Sequence, residues 1–212
     1  MNFSPDCRRC SRLAGFLDQV RTEHPDYYAR PVPSFGPADA RLLIVGLAPG
    51  MHGANATGRP FTGDFAGILL YQTLHQFGFA SAAQSTHSSD GLELQDCRIT
   101  NAVRCLPPAN KPVTAEVDQC NDYLADEIHQ SPAPKIVLAL GTIAHRAVLR
   151  ACGRKLSAYK FKHAARHSLN EQLLLIDSYH CSRYNTQTRR LTSEMFADVF
   201  RLLRKQLDAL PA

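Results

Sequence analysis

Residues 41–64, RLLIVGLAPGMHGANATGRPFTGD, decide the fold. The run Leu42 to Val45 is aliphatic, partly β-branched and stopped at once by Gly46, which predicts a strand buried on both faces. The loop that follows is too polar for core and too glycine-rich for helix. Loops leaving the carboxyl ends of parallel strands are where α/β proteins hold ligands. Gly46, Gly50, Gly53, Gly58 and Gly63 leave this one bare enough for close approach. Neither GxxxxGK[ST] nor GxGxxG occurs, so no standard phosphate cradle is written here.

Outward from this stretch, strands and helices alternate. Phe65 to Phe77 has the apolar density of a buried helix and stops at Gly78, and residues 80–91 form a polar, serine-rich surface loop. Arg98 to Val103 predicts a second strand, and its exit from Arg104 to Pro112 holds three prolines that exclude helix and ladder. Thr114 caps the next helix, whose stripe is Val117, Cys120, Tyr123, Leu124 and Ile128. Lys135 to Leu140 and Gln172 to Ile176 supply a third and a fourth strand, with a helix from Thr142 to Cys152 between them. A last helix spans Ser193 to Leu210. On the other side of the opening stretch, residues 7–22 carry Leu13, Phe16, Leu17 and Val20 at helical spacing, and a proline-rich connection covers residues 25–40. The expected fold is α/β: three layers, α/β/α, around a central, mainly parallel four-stranded sheet, as one domain over residues 1–212. Three strand exits, 46–64, 101–112 and 177–191, are then placed to converge on one crevice.

Composition narrows the class. A chain of 212 residues that is 44% hydrophobic and 20% charged buries a core without staples, which excludes disordered and fibrous classes. No apolar run reaches the roughly 18 residues that span a bilayer, and MNFSPDCRRC lacks the apolar segment of an export signal. The expected location is cytoplasmic, with no membrane partner. Lys plus Arg exceed Asp plus Glu by 24 − 19 = 5. Six of these cations fall in residues 150–167 with no acidic residue among them, and Arg183, Arg189 and Arg190 lie in a later loop. These segments read either as solvated loops or as contacts to a polyanion.

Seven cysteines and no export signal argue against a disulfide framework. Cys7 and Cys10 form a C-x2-C pair, and no strand precedes them as a thioredoxin-type redox pair would require. With Cys105 and Cys120 they make four thiolates, enough for a tetrahedral zinc or a cubane iron-sulfur cluster, and the uneven spacing leaves both open. Buried small hydrophobes are the other use of such cysteines, and the one expected of Cys97 and Cys152.

Three loop motifs together carry a family resemblance: GLAPGMHG-x4-GRPFTGD in residues 46–64, TNAVRCLPPANKP in 100–112 and YHCSRYNTQT in 179–188. They resemble those of the iron-sulfur uracil-DNA glycosylases, and within them the family 5 (type B) enzymes, over nearly the whole chain. The resemblance implies a structural 4Fe-4S cluster on Cys7, Cys10, Cys105 and Cys120. It implies a monofunctional glycosylase that flips uracil out of double-stranded DNA and hydrolyses its N-glycosidic bond, leaving an abasic site. Hypoxanthine and other deaminated bases are further expected substrates, and the chain is expected to act as a monomer.

Carried onto this sequence, the substrate pocket comprises Gly46, Leu47, Ala48, Pro49, Gly50, His52, Phe61, Asn101 and His180. Phe61 would stack on the flipped base. Asn101 would pair with the O4 and N3–H edge of uracil and reject cytosine, whose pattern there is reversed. His180 would donate to the pyrimidine O2 as negative charge develops on the leaving base. Family members usually carry Ala where Gly50 stands, and related families place an acidic or amide residue near Gly50 and His52, which this chain lacks. Asp64, the one carboxylate of the first motif, is therefore the expected group to orient water or to stabilise the oxocarbenium ion. Arg183, Tyr184, Lys160 and Lys162 are the expected DNA contacts. The competing readings are a non-catalytic, zinc- or cluster-stabilised nucleic-acid binder and a hydrolase of free nucleosides.

Overall fold

The computed structural model describes residues 3–130 and 134–209. Five strands, β1 Leu42–Gly46, β2 Cys97–Asn101, β3 Ile136–Leu140, β4 Arg166–Ser168 and β5 Leu174–Ser178, form one sheet in the order β2-β1-β3-β5-β4. The first three and β5 run parallel, and β4 pairs antiparallel with β5 at the edge. The three-layer, mainly parallel arrangement is therefore as expected, and the count of four strands is corrected to five. The extra strand lies inside the segment read as a basic loop. Its exposed, half-buried, exposed run Arg166–His167–Ser168 has no apolar signal to betray it. A side-chain turn makes it: Asn170 Oδ1 accepts from the backbone N–H groups of Gln172 and Leu173, both at 2.8 Å, and reverses the chain into β5.

Period-two alternation along the sheet divides the core. Leu42 and Ile44 face one side with Ile99, Leu138 and Ile176. There they meet α3 (Phe65–Gln76) through Leu70 and Leu74, and α7 (Ser193–Asp208) through Phe196, Phe200 and Leu203. Leu43 and Val45 face the other side with Val137, Ala139 and Leu175, against α1 (Ser11–Glu23), α4 (Thr114–His129) and α5 (Thr142–Ala151). Both faces of β1 are fully buried, as its composition requires.

Several local expectations are revised. The first loop holds a helical turn, α2 (Ala54–Thr57), closed by the left-handed Gly58, despite its glycines. The exit of β5 holds another, α6 (Arg183–Gln187). Residue 114 is the first helical residue of α4 rather than its cap; Val113 precedes it, and its N–H donates to Glu116 Oε2 at 2.9 Å. Cys7 and Cys10 precede α1 instead of opening it. The expected end of the last helix at Leu210 lies outside the described residues.

The serine-rich loop 80–91 is bolted to the first motif rather than merely solvated. Arg59, 6% exposed, donates to Asp90 Oδ1 at 2.6 Å, to the Ser88 carbonyl at 2.6 Å and to Ser85 Oγ at 3.0 Å, with its guanidinium 4.4 Å from the Phe35 ring centre. Asp90 accepts in addition from the N–H groups of Thr86, His87 and Leu92. Burial alone pushes its carboxyl up, but Arg59 and these three N–H groups outweigh it and hold the group well below the usual carboxylate range. A carboxyl lowered in this way stabilises the fold above its unfolded value near 3.8 and loses that contribution as the pH falls towards its folded value. Asp90→Asn, which leaves Arg59 buried without its counter-charge, is expected to cost about 3 kcal/mol in denaturant unfolding at neutral pH. The difference from wild type should shrink below pH 4, and a variant within 0.5 kcal/mol (about the scatter of a surface substitution) would contradict it.

Candidate active site

The strand order reverses at β1, which has β2 on one side and β3 on the other, and the crevice beyond the carboxyl ends of the strands is the site this topology offers. A cavity of about 460 Å³ lies there. Each parallel strand contributes to it: Leu47 after β1, Asn101 at the end of β2, Leu140 and Gly141 at the end of β3, and Tyr179 and His180 after β5.

The parallel register sets Gly46 beside Asn101. A Cβ on Gly46 would lie 2.3 Å from Asn101 Oδ1 and 2.6 Å from the Phe61 ring, so only glycine lets both side chains close over the end of β1. Asn101 is 3% exposed, and its Oδ1 has no hydrogen-bond partner among the described residues. An orphaned buried carbonyl costs about 1–3 kcal/mol, and Asn101 is among the residues that line the cavity. Phe61 holds a left-handed backbone, φ 55°, that a bulky residue adopts only under constraint. Its ring is 5.9 Å from that of His180 at an angle of 28°.

His180 follows β5 by two residues, and Asn185 Nδ2 donates to its carbonyl at 2.8 Å, which fixes the turn into α6. Its Nδ1 is sealed from solvent and has no hydrogen-bond partner among the described residues. Burial pushes the imidazole down to about 4, so the ring is neutral at physiological pH. Asp64 caps α3, its Oδ1 accepting from the Gly67 N–H at 2.8 Å. Burial raises this carboxyl above its ordinary value against the opposing pull of the Gly67 and Ala66 N–H groups. Oδ2 turns to the first loop, where a Cβ on Gly50 would be 3.8 Å away and one on Gly53 only 2.8 Å. The bare backbone of Gly50 and Gly53 is the berth of this carboxylate.

Of the expected pocket residues, Leu47, Ala48, Gly50, Phe61, Asp64, Asn101 and His180 line the cavity. Gly46 lies beneath it, and Pro49 is buried off the lining. His52 is a correction: it is exposed and does not line the cavity. The Gly53 and Asn55 N–H groups both donate to the Gly50 carbonyl, folding this segment into a turn that leads to α2, and His52 Nδ1 instead shares a 2.7 Å hydrogen bond with the Tyr27 hydroxyl. Sequence reading missed Asn110, Ile143, Phe161, Tyr179 and Arg190 on the walls. Tyr179 and Arg190 lie in the third loop motif or just beyond it, whereas Phe161 had no motif to mark it. Beside the lining residues Phe161 and Ser182 in the chain, Lys160, Lys162 and Arg183 are exposed, and Tyr184 on α6 is 70% exposed.

The four cysteines Cys7, Cys10, Cys105 and Cys120 line a second pocket with Phe3, Leu13, Pro31 and Val103. The Tyr123 hydroxyl donates to Cys7 Sγ at 3.3 Å, and the Arg104 N–H to Cys120 Sγ at 3.4 Å, as N–H and O–H groups do around thiolate ligands. Burial first, and then the neighbouring thiols, push the Cys105 thiol far up. Converging sulfurs in an apolar pocket suit a positively charged metal group, and the residues fit one. Elsewhere, His145, His167 and Asp177 have ligand atoms within 4.8 Å of one another, a grouping that direct hydrogen bonds of 2.8 and 3.1 Å to Asp177 explain.

A model of the Uracil DNA glycosylase superfamily matches residues 33–204. The type-5 uracil-DNA glycosylase of Thermus thermophilus is 46% identical over 200 residues, covering 91% of this chain and 90% of its own length. The type-5 enzymes of Mycobacterium leprae and Pyrobaculum aerophilum are 41% and 39% identical, covering 94% and 92% of this chain and 90% and 87% of theirs. A match over most of the chain at these identities, on a fold whose strand ends build one cavity from the three motif loops, assigns it: the chain belongs to the type-5 uracil-DNA glycosylases of the uracil-DNA glycosylase superfamily.

Proposed function

We propose that the protein removes uracil from double-stranded DNA by hydrolysing the N-glycosidic bond and leaves an abasic site. The observation that carries this reading is Asn101, a cavity-lining residue whose buried Oδ1 has no hydrogen-bond partner among the described residues. A base inside a duplex is out of reach of such a cavity, so the nucleotide must be extruded into it. The buried acceptor then meets the N3–H of uracil. Cytosine offers a lone pair at that position, which would face Oδ1 and leave both groups unpaired, a penalty large enough to exclude it. Phe61 supplies an aromatic surface at the same place.

Cleavage builds negative charge on the base and positive charge on the sugar. His180 is neutral and has its Nδ1 buried, so Nε2–H is the group available to donate to the pyrimidine O2 as charge develops there. A neutral donor avoids the cost of burying an imidazolium in the empty pocket. Asp64 Oδ2, left free by the helix cap, is the carboxylate that orients the attacking water or faces the oxocarbenium ion. Lys160, Lys162, Arg183 and Tyr184 contact the duplex around the mouth, the cations at phosphates and Tyr184 at the gap left by the base. Hypoxanthine and other deaminated bases share the N–H donor edge and are further substrates of the same acceptor.

The four-cysteine pocket holds a 4Fe-4S cluster in a structural role, since hydrolysis transfers no electron. The uneven spacing of the four cysteines in the sequence, which iron-sulfur sites accommodate better than a pair of C-x2-C zinc knuckles would, supports the cluster over zinc. Bound there, the cluster ties the segment before α1 to the β2 exit loop, one residue of which, Asn110, lines the cavity.

Asn101→Ala is expected to lower kcat/KM for uracil release from a duplex by at least about 100-fold, and an unchanged rate refutes the role given to Asn101. The pH–rate profile should show no loss assignable to His180 between pH 8 and about 5; a fall centred at its ordinary value, 6.5, in wild type but not in His180→Asn would contradict the neutral-donor role. Purified protein should contain about four iron atoms and four labile sulfides per chain, and Cys120→Ser should lower both. Stoichiometric zinc without iron would overturn the cluster assignment.

A further inference from the structure

The segment between α5 and β4 presents Lys160 and Lys162 to solvent, and between them Phe161 lines the cavity. This is the alternation of an extended chain, in which neighbours point to opposite sides. One tripeptide therefore has two cations outside and an aromatic ring inside. The ring is not loose. It packs edge-on against His145, with centres 5.7 Å apart, and leans on Tyr179 at 6.1 Å.

His145 is 2% exposed and held at both nitrogens. Nε2 donates to the carbonyl of Tyr159 at 3.1 Å, two residues before Phe161. Nδ1 meets Asp177 Oδ1 at 2.8 Å, and the other oxygen of this fully buried carboxylate takes His167 Nε2 at 3.1 Å. His163 adds a further fastening, its Nδ1 accepting from the Tyr179 N–H at 3.2 Å. Three histidines thus fix Tyr159, His163 and His167 of this segment to α5, to the β5 exit and to β5, with Asp177 three residues ahead of His180. A surface loop needs no such network; a loop that must hold one side chain at a fixed place in a cavity does.

We infer that Phe161 is a specificity-determining residue, the wall that sets how large a base the pocket takes, and that His145 is a positioning residue that holds this wall against Asp177. The inference rests on the glycosylase reading. A ring at this place gives uracil a face to lie against and narrows the room left for a purine. Removing it takes contact from the small base and gives space to the large one.

The test compares release of uracil and of hypoxanthine from matched duplexes by the full-length protein. Phe161→Ala is expected to lower kcat/KM for uracil about tenfold, the usual loss when an aromatic–base contact is removed, and to raise hypoxanthine release relative to uracil at least about threefold. Phe161→Tyr should keep the wild-type ratio. His145→Gln should reproduce the shift in ratio, and the double variant should show no further shift than Phe161→Ala alone, because the two act through one ring. Should His145→Gln fail to fold, His167→Gln, at the more exposed end of the same carboxylate, is read in its place. Hypoxanthine release that does not rise relative to uracil in Phe161→Ala, including none at all, overturns the role of Phe161. Equal losses on both bases in the histidine variant overturn the positioning role. Wild-type protein that releases no uracil instead refutes the glycosylase reading itself, so the two failures are told apart.

Discussion

The arrangement depends on one close approach, at the end of β1. Gly46 has no Cβ, and the space a Cβ would fill is taken by Asn101 Oδ1 and the Phe61 ring. Register alone puts Asn101 beside Gly46, but only a bare backbone lets its amide turn in over the strand end and lets Phe61 close from the other loop. The left-handed backbone at Phe61 is the strain this convergence stores, and the unpartnered Oδ1 is its polar counterpart. Together they cost a few kcal/mol that the buried sheet, packed on both faces, offsets.

From this point the rest of the site follows. Asp64 is placed from two sides, by the Gly67 N–H of α3 and by packing against Gly53 of the loop, so its carboxylate stands where the backbone, not its own flexibility, places it. Arg59, between the berth and Phe61 in sequence, anchors the loop to residues 85–92 through a buried ion pair. His180 arrives from β5 at stacking distance from Phe61. Low dielectric around these groups raises the carboxyl of Asp64 and depresses the imidazole of His180, so the ring is neutral before a base enters.

The sheet was legible because parallel strands buried on both faces read as unbroken aliphatic runs, such as Leu42 to Val45 and Ile136 to Leu140. β4 was not, because a three-residue polar edge strand is made by its turn and its partner rather than by its own side chains. Within the site, Asn101, Phe61, Asp64 and His180 stood out through motif loops. His52 shared the first motif and yet faces outward, since the turn into α2 rotates that segment, a consequence of backbone hydrogen bonds that spacing does not encode. Phe161 went unnoticed for the opposite reason: its place depends on contacts with His145 and Tyr179, which lie 16 and 18 residues away in the chain.

The central claim is that a buried amide oxygen reads the N3–H of an extruded base. The most direct measurement is single-turnover release from two duplexes that differ only by a methyl group on N3 of the uracil. Methylation removes the donor and leaves the glycosidic bond in place. The account predicts that wild-type protein releases uracil and loses at least about 100-fold in rate on the N3-methyl base, and that Asn101→Ala, already slow, hardly distinguishes the two. Equal rates on both bases with the wild-type protein would contradict it.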